Sequence, residues 1–108
     1  MNWFGKLFSE TPSEPPPTYK ENAVVLDVRS PSEFALTHVE GALNLPIKKF
    51  GKSYASVVPD KARQMVVYGD AEARSDVATQ FLKLQRYTNV IDGQSAADVA
   101  RHLNRKIV

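Results

Sequence analysis

The stretch Tyr68-Gly69-Asp70-Ala71-Glu72-Ala73-Arg74-Ser75 holds the residue types and spacing of this chain that most invite chemistry. It follows an apolar run, Gln64-Met65-Val66-Val67-Tyr68, and leads into a helix-forming run from Ser75 to Arg86. A loop between the end of a strand and the start of a helix exposes backbone N–H groups, and the helix dipole favours an anion there. Arg74 and Ser75 would add a charged donor and a hydroxyl. Asp70 and Glu72 act in the opposite sense. At neutral pH they repel an incoming anion, unless one carboxylate folds inward and fills the cradle itself. By charge, the loop is expected to be closed to anions rather than open.

Other chemistries find less support. Two acids at i, i+2 in a loop are ordinary surface residues, and nothing around Asp70 and Glu72 implies the raised pKa that acid–base work needs. Ser75 as a nucleophile would require a histidine and an acid, with His38 the only reasonable candidate. The simpler role for Ser75 is a helix N-cap. His38 follows a short helix and is read as a structural hydrogen-bonding residue. Asp27 and Arg29 are expected to form a buried or edge pair that shapes the site, or simply to stabilise a turn. The chain contains no cysteine, which removes disulfides, thiolate metal sites and thiol redox chemistry together. His38 and His102 are far apart, with no metal-ligand spacing around either. No metal site and no cofactor are expected.

These residues need elements to place them. Ala23 to Val28 is a continuous apolar run carrying Asp27 near its end, as in a strand buried on both faces. Ser30-Pro31-Ser32-Glu33 predicts a helix start, with Ser30 as N-cap, Pro31 at the first helical position and Glu33 closing a capping box. A second short strand is expected over Gly41–Pro46. Residues 47–57 carry a rough apolar stripe of Ile47, Phe50, Tyr54 and Val57. A third strand covers Gln64–Tyr68, and the Ser75–Arg86 helix is expected to turn Val77, Phe81 and Leu84 inward. Asn89–Ile91 reads as a fourth strand, Asp92-Gly93 as a turn, and Ser95 as the cap of a last helix to about Asn104 with Val99 and Leu103 apolar. Strands alternating with helices predict an α/β domain whose mainly parallel central sheet is flanked by helices on both faces. Ligand sites in such sheets lie outside the C-terminal ends of the strands, where Asp27 and Gly69 both fall.

Residues 9–22 hold four of the seven prolines. Three in succession at 15–17 favour polyproline II and forbid helix. Residues 1–22 therefore read as an amphipathic segment and Pro-rich linker, and residues 23–108 as the folded domain. Trp3, Phe4, Leu7 and Phe8 share one helical face, so residues 1–8 are either a small anchor for a membrane surface or partner, or a segment that frays or packs back. The second reading is favoured for so short a helix. Lys48, Lys49 and Lys52 form the only tight basic cluster, without interleaved aromatics, which points to a solvated helix face and away from nucleic acid. No run is long enough to span a membrane and no secretory signal is visible, so the default expectation is a cytoplasmic protein.

Leu26-Asp27-Val28-Arg29-Ser30, Glu33-Phe34 and His38-Val39-Glu40-Gly41-Ala42-Leu43-Asn44-Leu45-Pro46 together resemble the signatures of the rhodanese (sulfurtransferase) family, and Tyr87 to Ser95 is similar to its late strand and Gly-rich turn. In that family a cysteine opens the loop after a buried strand, takes sulfane sulfur from a donor such as thiosulfate and holds it as a persulfide. The resemblance places the nucleophile position on Gly69, with four residues between it and Arg74, the loop spacing of sulfurtransferases. It makes Gly69, Asp70, Ala71, Glu72, Ala73, Arg74 and Ser75 the equivalent of the active-site loop, with Asp27, Arg29 and His38 in support. Arg86 and Gln94 stand where the family commonly has glycine.

The expectation that follows is a catalytically inactive rhodanese-like domain, without catalytic residues of its own. Such a domain would bind a protein partner or a small anion through the former active-site edge. The alternative is an enzyme of thiosulfate or persulfide metabolism whose nucleophile is supplied by a partner.

Overall fold

A computed structural model describes residues 16–69 and 74–108 of the chain. The elements run β1 (Val24–Asp27), α1 (Pro31–Leu36), β2 (Leu43–Asn44), a 3₁₀ turn (Ile47–Lys49), α2 (Phe50–Val57), β3 (Met65–Gly69), α3 (Arg74–Leu84), β4 (Val90–Ser95) and α4 (Ala96–Leu103). The four strands form one parallel sheet in the order β2-β1-β3-β4. The strand order reverses between β1 and β3, so the switch point of the sheet lies where Asp27 and Gly69 end neighbouring strands.

Burial on both sides explains why β1 and β3 are apolar without alternation. On one face Leu26, Val28, Met65 and Val67 pack against Phe50 of α2 and Ala78 and Leu82 of α3. On the other, Val25, Val66, Tyr68 and Ile91 pack against Val99 and Ala100 of α4, with Phe34 of α1 at the margin. The expected parallel α/β sandwich is therefore present, with helices on each face. Residues 18–22, within the stretch read as linker, are tied to this body. Lys20 N donates to Gln64 Oε1 at 2.7 Å, Gln64 Nε2 donates to the Thr18 carbonyl at 2.8 Å, and the Tyr19 ring stacks on His102.

Several sequence expectations shift. The inward stripe of α3 is Ser75, Ala78, Thr79 and Leu82, while Val77 and Leu84 are 53% and 78% exposed. Residues 75, 78, 79 and 82 share one helical face, and their small members let the helix lie close to the sheet. Val57 likewise points outward and Val58 is buried in its place. The second strand is only two residues long. Asp92-Gly93 is not a turn but part of β4, where a bulge sets Val67 against Asp92 and Tyr68 against Gln94. A Cβ on Gly93 would collide with Val99 and come within 3.0 Å of Val66, so glycine is what lets α4 close on the sheet here.

Arg86 and Gln94, the two positions where the family resemblance led us to expect glycine, both have φ of 71°. Arg86 lies just past the end of α3, where a left-handed residue closes the helix through Tyr87 N donating to the Leu82 carbonyl at 3.0 Å. Gln94 leaves the bulge with its N–H donated to Asp92 Oδ1 at 3.0 Å. Both side chains sit in a conformation that favours glycine.

Candidate functional site

The C-terminal ends of β1 and β3 are held by polar clamps. Asp27 is fully buried. Its carboxylate accepts from Arg29 N at 2.9 Å, from Arg29 Nε at 3.1 Å and from Arg29 Nη2 at 2.7 Å. The same Nη2 donates to the Thr37 carbonyl at 2.6 Å, tying the end of α1 to the end of β1. Bonding to Asp27 pushes the Arg29 guanidinium further toward its charged form. The guanidinium also lies 5.6 Å from the centroid of the Tyr68 ring. Asp27 and Arg29 thus form the buried pair expected, and they brace the turn as well. Asn44 completes the clamp by donating Nδ2 to the carbonyls of Asp27 and Arg29, both at 3.0 Å. Sequence reasoning missed Asn44; its only signal was its place at the end of a short edge strand.

Helix α1 starts as predicted. Glu33 N donates to Ser30 Oγ at 3.2 Å and Ser30 N donates to Glu33 Oε1 at 3.1 Å, a complete capping box with Pro31 at the first helical position. The structure adds a second partner. Arg74, the first residue of α3, forks onto the same carboxylate, with Nη1 at 3.0 Å from Oε1 and Nη2 at 3.1 Å from Oε2. The Arg74 guanidinium, helped by the Ser30 hydroxyl and N–H, holds the Glu33 carboxyl far below the usual carboxylate range. Glu33 was read from sequence only as a capping residue. Its position beside Arg74 makes it part of the site.

Gly69 closes β3 and is buried. A Cβ built there would stand 3.4 Å from Arg74 Cβ, 3.5 Å from Ser75 N and 3.7 Å from Val28 Cγ2, all ordinary contacts. Among the described residues the position therefore has room for a Cβ at the start of α3, and none of them demands glycine there by packing. Ser75 is 3% exposed and lies in the first turn of α3, one residue inside the helix rather than capping it. The boundary moved because Arg74 is already helical. His38 is engaged elsewhere: Nδ1 bonds the Phe34 carbonyl at 2.7 Å, the ring stacks on Phe34, and the backbone pairs with Val108. It is a structural residue, not a partner for Ser75. Burial raises the pKa of Tyr68, whose hydroxyl accepts from Val39 N at 3.0 Å.

Asp70, Ala71, Glu72 and Ala73 lie outside the described residues, as do residues 1–8. Among the described residues no group of three or more His, Asp or Glu side chains is placed to hold a metal ion, and no helix is long and apolar enough to cross a membrane. A cleft of about 190 Å³ is lined by Arg74, Val28, Ser30, Pro31, Pro46, Ile47 and Lys48.

Residues 17–93 match the Rhodanese-like domain family. The chain is 36% identical over 75 residues to the thiosulfate sulfurtransferase PspE of Escherichia coli (strain K12), a match covering 69% of this chain and 72% of that protein. It is 27% identical over 79 residues to the thiosulfate:glutathione sulfurtransferase of Saccharomyces cerevisiae, covering 63% of this chain and 57% of that one. A solved structure of a rhodanese with anions from E. coli superposes with a TM-score of 0.68 at 35% identity, over 72% of this chain and 92% of its own.

Proposed function

The chain belongs to the rhodanese-like domain family, and from that premise we propose that it is a member without sulfurtransferase activity, working as a binding module through the edge built by Gly69, Arg74 and the ends of β1 and β3. The observation that carries this reading is the residue at the end of β3. Sulfur transfer from thiosulfate needs a thiolate to attack the sulfane sulfur, forming a persulfide and releasing sulfite. Glycine stands at that point, and the chain has no cysteine anywhere. Among the described residues no neighbour takes over the task. Ser75 is buried in a helix turn, and Tyr68 is held in its neutral form by burial. The loop arginine is engaged by Glu33. What persists is a rigid, polar-clamped sheet edge with an open cleft beside it. Such switch-point crevices are where folds of this class bind their ligands.

The test joins two measurements on the purified full chain. Thiosulfate:cyanide sulfurtransferase turnover is expected at background. Cross-linked partners recovered from the source cells are expected to be lost with Ile47→Asp at the cleft and kept with Lys83→Glu on the exposed side of α3. Clear turnover by the unmodified chain would refute the inactive reading. Recovery indifferent to Ile47→Asp would refute the edge as a binding surface. The alternative, a partner that delivers the persulfide, predicts cyanide-dependent thiocyanate only when a persulfidated carrier protein is added, and the same assay separates it.

A further inference from the structure

We infer that the cleft beside Arg74 accepts one aliphatic side chain of a partner polypeptide, with acidic residues next to that side chain resting on the lysines of the 3₁₀ turn and α2. This deepens the proposed binding role and rests on it. The size of the cleft sets the first part. At about 190 Å³ it is smaller than the ~300–1,000 Å³ usual for sites that enclose a whole small molecule, so it takes one side chain while the rest of the ligand lies outside. Val28, Pro31, Pro46 and Ile47 form its apolar part, and Ser30, Lys48 and Arg74 complete the lining. The apolar four have no polar side-chain group to orient a polar ligand, and they are rigid. Two prolines fix the wall backbone before anything binds, which lowers the ordering cost of binding.

Charge sets the second part. From Gly41 to Pro59 the chain has no acidic residue and three lysines. Lys48 stands at the cleft, and Lys49 and Lys52 continue from it along the 3₁₀ turn and α2. All three are exposed and make no ion pair among the described residues. Glu33, bonded to the lining residues Ser30 and Arg74, is already matched by Arg74. Among the described residues the face is therefore positive and calls for a negative partner. A nucleic acid would supply that charge but has no aliphatic group for the cleft. The aromatic rings beside the lysines are also unavailable for stacking on bases: Phe50 is 2% exposed and Tyr54 packs edge-on against Phe81.

The experiment is a selection of random dodecapeptides displayed on phage against the full chain, run in parallel on Lys48→Glu and on Lys83→Glu. Enriched peptides are expected to pair an aliphatic residue with Asp or Glu within two positions. A synthetic copy of the best should bind the wild type and Lys83→Glu alike, and should bind Lys48→Glu about tenfold more weakly. Added salt should weaken it. Neutral or basic winners, no enrichment, or indifference to Lys48→Glu would overturn the inference. So would a single-stranded oligonucleotide that binds more tightly than the peptide and responds to the same substitution. If the selection fails while cell-derived partners remain sensitive to Ile47→Asp, the chemistry assigned to the partner falls and the binding edge stands.

Discussion

Replacing Gly69 by cysteine asks whether the missing thiol is all that separates this domain from an active relative. The structure says the substitution fits. Gly69 is extended strand backbone paired with β4, and an added Cβ meets Arg74, Ser75 and Val28 at 3.4 to 3.7 Å. Removing a glycine from the unfolded chain is worth about 0.4–1 kcal/mol where the native backbone suits the new residue, so stability should rise by about 0.5 kcal/mol. Activity is a separate question. A free thiol has an ordinary pKa of about 8.5 and is only a few per cent thiolate at pH 7. The start of α3 favours the thiolate, but the burial of this strand end disfavours it, and Asp70 and Glu72 follow within three residues and oppose a third negative charge. Turnover of thiosulfate and cyanide by Gly69→Cys should thus stay at no more than a few per cent of that of an active relative. It should rise when Asp70→Asn and Glu72→Gln are added. Full turnover from the single change would show that the acidic loop does not restrain the thiol. A loss of stability in urea unfolding would show that the packing at position 69 has been misjudged.

Thr79 buries a hydroxyl that has no hydrogen-bond partner among the described residues, so Thr79→Val should raise the unfolding free energy by about 1 kcal/mol in urea; an unchanged or lowered midpoint would mean that the hydroxyl is satisfied. Gln94→Gly should also stabilise, by about 0.5–1 kcal/mol, because relief of the left-handed backbone outweighs the added entropy of the unfolded chain; a lower midpoint in thermal or urea unfolding would contradict this. The Glu33 carboxyl has a lower pKa folded than unfolded, so its contribution is complete above the ordinary value of 4.5 and fades as pH falls below it. Stability measured against pH should fall less steeply below about pH 4.5 in Glu33→Gln than in the wild type, and parallel acid limbs would refute the Arg74–Glu33 assignment.

What the chain discloses about itself depends on how far apart the causes lie. The capping box at Ser30 and Glu33 and the Ser95 cap, whose hydroxyl accepts from Asp98 N at 3.1 Å, each act within one helical turn, and residue types at fixed offsets reveal them. The two-sided burial of β1 and β3 is equally visible, because a run such as Val24-Val25-Leu26 has no polar face to expose. On α3 the expected inward residue Phe81 does pack against the core, while Val77 and Leu84 face outward for the opposite reason. Burial on its inward face is decided by close approach to the sheet, which selects Ser75, Ala78 and Thr79 over the larger Val77 and Leu84. Gly93 was taken for a turn glycine, yet its role is to make room for Val99 of another helix. Arg86 and Gln94 were noted as replacements for glycine, but only the fold shows that both backbones are left-handed.

The same distinction governs the site. Glu33 has a local reason to exist, since it closes the capping box three residues away. Its second bond reaches Arg74, 41 residues along the chain, and depends on β1 and β3 being neighbours. A helix start bearing an arginine is open to an outside anion only when the chain supplies no carboxylate of its own. Here Glu33 supplies one, from the helix that follows the adjacent strand. Asp70 and Glu72 lie outside the described residues, and within them it is Glu33 that holds Arg74. An external anion must compete with a bidentate internal one, while Lys48, Lys49 and Lys52 beside the cleft meet no such competitor among the described residues. On the binding role proposed above, recognition thus falls toward Ile47 and Lys48 rather than at the position the nucleophile would occupy.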